Sequence, residues 1–239
     1  MTTSRLLSVA ALVAAGMLAL AGCAANTPAP AASGDAPASS GVVQPGQELE
    51  VDAAWLAGGT AIALVTSGSS TCVPTASEAT VQADGTLAVT LTDIEGQACT
   101  RDLVPRASFV ALPEGVDPTR ELDIVVTYAD ATGDTDLDGY SGGPVEEFTP
   151  SAGWVDDDQL VLLTFGSSSC APVVENVEVA GAAVTVTFVA PAADQVCTMD
   201  MAPRLTLVTA PEAEDDNATL TLAGGGAEFA TPVTIPIAD

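Results

Sequence analysis

Three observations predict an all-β fold of two tandem, homologous, small antiparallel sandwiches or barrels. The chain matches itself at an offset of 98 residues. Each half is divided into short runs of β-forming residues with turn signals between them. After the leader, no stretch sustains a helical periodicity.

The repeat is carried by widely spaced identities. Gly68, Ser69, Ser70, Cys72 and Pro74 recur as Gly166, Ser167, Ser168, Cys170 and Pro172. Cys99, Thr100, Asp102, Pro105 and Arg106 recur as Cys197, Thr198, Asp200, Pro203 and Arg204. With one residue of slip, Trp55 meets Trp154. A tandem duplication accounts for all of these.

Each repeat then reads as strands in order. "TAIALVTSG" and "QLVLLTFG" are apolar throughout and suit strands buried on both faces. "TVQADGTLAVTLTDI" places Asp84-Gly85 between alternating runs, a hairpin signal, and Ala180-Gly181 stands in the corresponding turn. "RASFVALP" and "RLTLVTAP" follow, then "ELDIVVTYA" and "NATLTLAG". "EEFTP" and "AEFATP" read as closing strands, and repeat 1 carries an inserted acidic loop at 129–143 before its closing strand. The spacing of cysteine and tryptophan does not fit an immunoglobulin domain.

The leader, residues 1–22, has Arg5, the apolar run "LLSVAALVAAGMLAL" and then "LAGC", Leu20 to Cys23. This order of parts resembles the lipobox of bacterial lipoproteins. The resemblance implies that Cys23 is acylated through its sulfur and becomes the N-terminus of a membrane-anchored, extracytoplasmic protein. Residues 23–46 are rich in Ala, Pro and Ser, hold little to bury, and are expected to form a disordered tether. The β-repeats are expected at 47–150 and 151–239, each folding alone, in a monomer. The lysine-free composition, rich in Ala, Gly, Val and Thr, resembles that of proteins from GC-rich bacteria such as actinobacteria.

Charge and residue type exclude several functions. Thirty-two acids against five basic residues give a net charge of −27. Phosphate backbones require basic contacts, so nucleic acid is excluded as a partner. Docking on an anionic lipid surface is disfavoured for the same reason. The chain has no histidine and no lysine, so Ser-His, Ser-Lys and Cys-His catalysis cannot be assembled within it. No cofactor motif is present. A carboxylate-pair hydrolase is the only catalytic alternative, and no spacing identifies such a pair.

Five cysteines are present. Cys23 belongs to the leader. The others lie 27 residues apart in each repeat, which in an exported protein predicts disulfides Cys72–Cys99 and Cys170–Cys197 rather than reactive thiols.

The remaining candidates are few. Arg106 and Arg204 recur behind Asp102 and Asp200. They are read as bonding carbonyls or their own Asp, with display to an anionic ligand as the alternative. Trp55 and Trp154 are read as plugs at the ends of the repeats. "DTDLDG" spaces Asp134, Asp136 and Asp138 two apart before Gly139, which resembles the first half of a D-x-D-x-D-G calcium loop. The resemblance implies weak calcium binding, with Tyr140 giving a carbonyl and Glu146 a displaced final ligand. The function expected is a noncatalytic envelope or binding role, or capture of a solute in a cleft between the repeats.

Overall fold

The computed structural model describes residues 48–211, 213–214 and 217–239. The leader, Cys23 and the tether lie outside the described residues. Repeat 1 contributes β1 (Val51–Leu56), β2 (Ala61–Gly68), β3 (Thr75–Val81), β4 (Leu87–Thr92), β5 (Val104–Ala111), β6 (Leu122–Tyr128) and β7 (Ala131–Leu137). Repeat 2 contributes β8 (Ser151–Trp154), β9 (Gln159–Gly166), β10 (Val174–Ala180), β11 (Ala183–Phe188), β12 (Ala202–Thr209), β13 (Thr219–Gly224) and β14 (Phe229–Ala238). The fold is all-β.

Each repeat is a sandwich of one three-stranded and one four-stranded sheet. In repeat 1 these are β1-β2-β5 and β3-β4-β6-β7. In repeat 2 they are β8-β9-β12 and β10-β11-β13-β14, joined because Ile237 and Ala238 at the end of β14 pair with Ala152 and Gly153 of β8. Pairing between these strands is antiparallel except for β4 with β6, β11 with β13, and that short β14–β8 contact; an isolated parallel bridge also joins Glu48 to Thr132. The parallel pairs follow from topology: the chain leaves the four-stranded sheet after β4 or β11, runs through β5 or β12 in the other sheet, and returns in its original direction. The hairpin signals form turns where expected. Val81 pairs with Leu87 around Asp84-Gly85, and Asp84 accepts a hydrogen bond from the Thr86 N–H at 3.1 Å. In repeat 2 Ala180 pairs with Ala183, and Gly181 takes the left-handed conformation in the turn (φ 61°).

Strand alternation divides the buried residues into three layers. Ile62 and Leu64 of β2 join Trp55, Leu87, Val89, Ile124 and Val126 in the core of repeat 1. Leu160 and Leu162 of β9 join Val184, Val186, Phe188, Leu220 and Leu222 in the core of repeat 2. The intervening residues face the opposite way. Ala61, Ala63, Ala54 and Leu56 meet Val161 and Leu163, with Phe109, Phe165, Leu205 and Leu207 packed around them. The two three-stranded sheets therefore stack back to back, which is why β2 and β9 are apolar at every central position. Gly153 sits at the closest crossing. A Cβ there would collide with the main-chain carbonyl of Trp55. Close by, the Ala57 N–H donates to Ser151 Oγ at 2.9 Å.

The structure corrects the reading of the acidic segment. It is not an inserted loop, because Ala131–Leu137 form β7, paired with β6 from Leu122↔Leu137 to Tyr128↔Ala131. β14 is its counterpart, with Leu220↔Ile235 in the register of Leu122↔Leu137. "EEFTP" is not a strand; it belongs to the connection into β8 and contains a turn in which the Thr149 N–H donates to the Glu146 carbonyl at 3.2 Å. The physical reason is alternation: Ala131 and Gly133 turn inward, while Thr132, Asp134 and Asp136 turn to solvent. Gly133 is required there, since a Cβ would strike the Leu49 carbonyl.

Candidate binding cleft

The twin cysteine turns are built alike. Both disulfides form, Cys72–Cys99 with Cα atoms 5.4 Å apart and Cys170–Cys197 with 5.6 Å. In repeat 1 the Ser69 and Thr100 hydroxyls bond at 2.8 Å, and the Ser70 N–H donates to Asp102 Oδ1 at 3.2 Å. In repeat 2 Ser167 and Thr198 bond at 2.8 Å, and the Ser168 N–H donates to Asp200 Oδ1 at 3.1 Å. Thr100 and Thr198 also donate to these carboxylates. The serines and acids thus pin the loop after each four-stranded-sheet hairpin onto the end of β2 or β9.

These bonds are expected to give stability a small acid dependence. Hydrogen bonding from Ser70, then from Thr100, lowers the Asp102 carboxyl to about 2. Ser168, then Thr198, lower that of Asp200 further still. A depressed carboxylate stabilises the fold above its unfolded value near 3.9, and that stability is lost as pH falls through the folded value. Stability is therefore expected to decline from about pH 4 to pH 2 and below. Urea midpoints of Asp102→Asn and Asp200→Asn variants should vary less with pH across this window than those of the parent. An unchanged pH profile in both variants would rule out these two carboxylates as the cause.

Arg106 and Arg204 do not pair with these aspartates. Both are buried, and each lies across a glycine at the end of a neighbouring strand. A Cβ on Gly68 would collide with the Arg106 guanidinium, and one on Gly166 would lie 2.8 Å from Arg204 Cζ. Each arginine donates to the carbonyl of the first cysteine: Arg106 Nη1 to Cys72, and Arg204 Nη1 to Cys170 at 3.1 Å. The glycine that opens each twin turn is thus needed to admit the arginine that holds it.

The repeats differ at what covers the guanidinium. In repeat 1 the Tyr128 ring lies over Arg106, 5.4 Å from Cζ to centroid, and its hydroxyl donates to Asp93 Oδ1 at 2.6 Å. Burial, then the bond to Asp93, raise the Tyr128 hydroxyl above its ordinary value, so it remains a donor. Ninety-eight residues on, tyrosine and aspartate are replaced by Gly226 and Pro191. They still face one another, since a Cβ on Gly226 would lie 3.1 Å from Pro191 Cδ. Arg204 instead pairs with Glu228 and donates to the Phe165 carbonyl at 3.2 Å.

A cleft of about 650 Å³ occupies this end of repeat 2. Arg204, Glu228, Ser167 and Gln195 are its polar lining; the Cys170–Cys197 disulfide, Pro172, Val173, Val189 and Pro191 are among its less polar walls. Its volume falls within the range of small-molecule sites. Val173 and Val189 are exposed, as are Val196, Met199 and Met201 on the neighbouring loop. At the junction between the repeats, β5 and β12 with Ser70 and Val73 line an open hollow of about 190 Å³. Sequence reasoning singled out Arg204 but missed Glu228, Pro191 and Gly226. The signal that could have found them was the loss of Tyr128 and Asp93 from the second repeat.

The proposed calcium ligands are placed differently from a chelating loop. Asp134 and Asp136 stand on the outer face of β7, and the Asp138 carbonyl accepts the Trp55 Nε1 proton at 2.7 Å. The Tyr140 N–H donates to Pro118 at 2.6 Å, and Glu146 lies in the connection to β8. Among the described residues, no group of three or more acidic or cysteine side chains is arranged to hold a metal. Asp136 directly opposes Asp123 across the β6–β7 ladder. Opposed like charges destabilise a sheet, so Asp136→Thr is expected to raise stability by about 0.3–0.8 kcal/mol. An unchanged or lower urea midpoint would count against that repulsion.

No protein-family model matches this chain, no curated protein is detectably similar to it in sequence, and no solved structure matches its fold.

Proposed function

We propose that this protein is a noncatalytic, extracytoplasmic binding protein, held to the membrane by a lipid on Cys23, with its site in the repeat 2 cleft rather than between the repeats. One observation carries the reading. Two copies of one sandwich differ where repeat 1 covers a buried arginine with its own tyrosine and repeat 2 leaves an apolar cleft beside the arginine. A duplication freed of self-occupancy in one copy is suited to accept another molecule there. The absence of histidine and lysine supports a noncatalytic role, and the "LAGC" leader supports the anchor.

The two parts are tested separately. Cys23→Ser should move the protein from the membrane fraction to the soluble fraction; a variant that stays membrane-bound would overturn the anchor. For the site, a thermal-shift screen of small apolar molecules against the full chain carrying Cys23→Ser should yield stabilising compounds. Ala190→Trp, at the exposed wall of the cleft, should abolish their effect. Compounds that stabilise both variants equally would place binding elsewhere.

A further inference from the structure

The cleft's ligand class can be read from the homologous place in repeat 1, an inference that rests on the cleft being a binding site. There the occupant is covalent and visible: a phenol ring over a guanidinium, with its hydroxyl donated to a carboxylate. Repeat 2 retains the guanidinium, because Arg204 is buried and held by the Cys170 and Phe165 carbonyls. It also retains a carboxylate. Asp93 has become Pro191, but Glu228 lines the cleft, and its side chain is about one-third exposed at 36%. The phenol is absent, because Gly226 stands where Tyr128 would be; the rings on the cleft wall are Phe165 and Phe229, neither of which carries a hydroxyl.

We propose that the repeat 2 cleft binds a neutral small molecule bearing a hydroxylated aromatic ring. The ring takes the place of the Tyr128 side chain beside Arg204, and its hydroxyl donates to Glu228. Three features select this class. A ring face against a guanidinium is attractive, and more so where water is excluded. A hydroxyl gives the partly exposed carboxylate a donor besides arginine, as Tyr128 does for Asp93. An anion is disfavoured, because Glu228 already neutralises Arg204 and the chain carries a net charge of −27. The cleft, at about 650 Å³, is larger than one ring. The ligand therefore carries an apolar extension along Pro172, Val173 and Val189, which are neutral and partly exposed.

The test uses the full chain with Cys23→Ser and three probes: p-cresol, which is the tyrosine side chain itself, 4-methylanisole, which blocks the hydroxyl, and cyclohexanol, which keeps the hydroxyl and removes the ring. Binding is followed by ligand-observed saturation-transfer NMR titration. p-Cresol is expected to bind at least fivefold more tightly than either other probe. Ala190→Trp and Ala192→Trp, both at exposed positions of the cleft wall, are expected to weaken it at least tenfold. Glu228→Gln should remove most of the preference for p-cresol over 4-methylanisole. Cyclohexanol binding as well as p-cresol would overturn the aromatic class while leaving the cleft a binding site. If no probe binds, or if both tryptophan variants bind p-cresol like the parent, the cleft itself is not the site.

Discussion

Reduction of both disulfides is expected to remove about 7 kcal/mol of stability, enough to unfold a domain of ordinary stability near room temperature. Each bond closes a ring across a separation of 27 residues. Opening such a ring restores chain entropy to the unfolded state worth roughly 3.5 kcal/mol. The hydrogen bonds that parallel each disulfide do not replace it, because they are solvent-exposed, and exposed bonds contribute little net stability. The two rings should not be equal. Cys72 is buried, whereas Cys99 and both cysteines of repeat 2 are not. Cys72→Ala with Cys99→Ala therefore leaves a cavity as well as a longer free chain, and should cost more than Cys170→Ala with Cys197→Ala. Urea denaturation with and without reductant measures both effects. A reduced protein with the parent midpoint would show that the rings contribute nothing to stability.

The parts legible in the sequence were those set by period and identity. The offset of 98 predicted the pairing of the cysteines, and the continuous apolar runs predicted that β2 and β9 are buried on both sides. What lies on their far side was not legible, because an apolar run does not say which other strand covers it. The closing strand of repeat 1 was misread for a related reason. Its inward positions are Ala131 and Gly133, too small to give the usual hydrophobic alternation, while Asp134 and Asp136 on the other face supply the spacing that reads as a loop. The glycine of each twin turn was visible, but not its cause. Arg106 reaches it from β5, a neighbour created only by the strand order. The cleft was the least legible feature, since it arises from residues that are missing: a tyrosine and an aspartate present in one repeat and replaced by Gly226 and Pro191 in the other.

Val161→Asp is expected to cost on the order of 4–6 kcal/mol and to destabilise both repeats, although the residue belongs to β9 of repeat 2. Val161 is fully buried, facing Ala54, Ala61 and Ala63 of repeat 1 rather than the core of its own sandwich. The change removes about 1.5–3 kcal/mol of apolar burial and places a carboxylate among alanines and leucines. The four arginines of the β-region offer it no relief from this layer. Arg106 and Arg204 are already engaged with the twin turns, and Arg101 and Arg120 are exposed in loops. The carboxylate must therefore be protonated in place or reach solvent by parting the two three-stranded sheets. The control is Met199→Asp, a similar substitution at a fully exposed position, which should leave stability within about 0.5 kcal/mol of the parent. The shared layer also predicts one cooperative unfolding transition for the full chain, and aggregation or self-association of 47–150 or 151–239 when either is made alone, because each half would expose one apolar sheet face. This departs from the expectation that the halves fold independently. Two separate transitions in the full chain, with Val161→Asp shifting only one of them, would show that the layer couples nothing and that the repeats are autonomous.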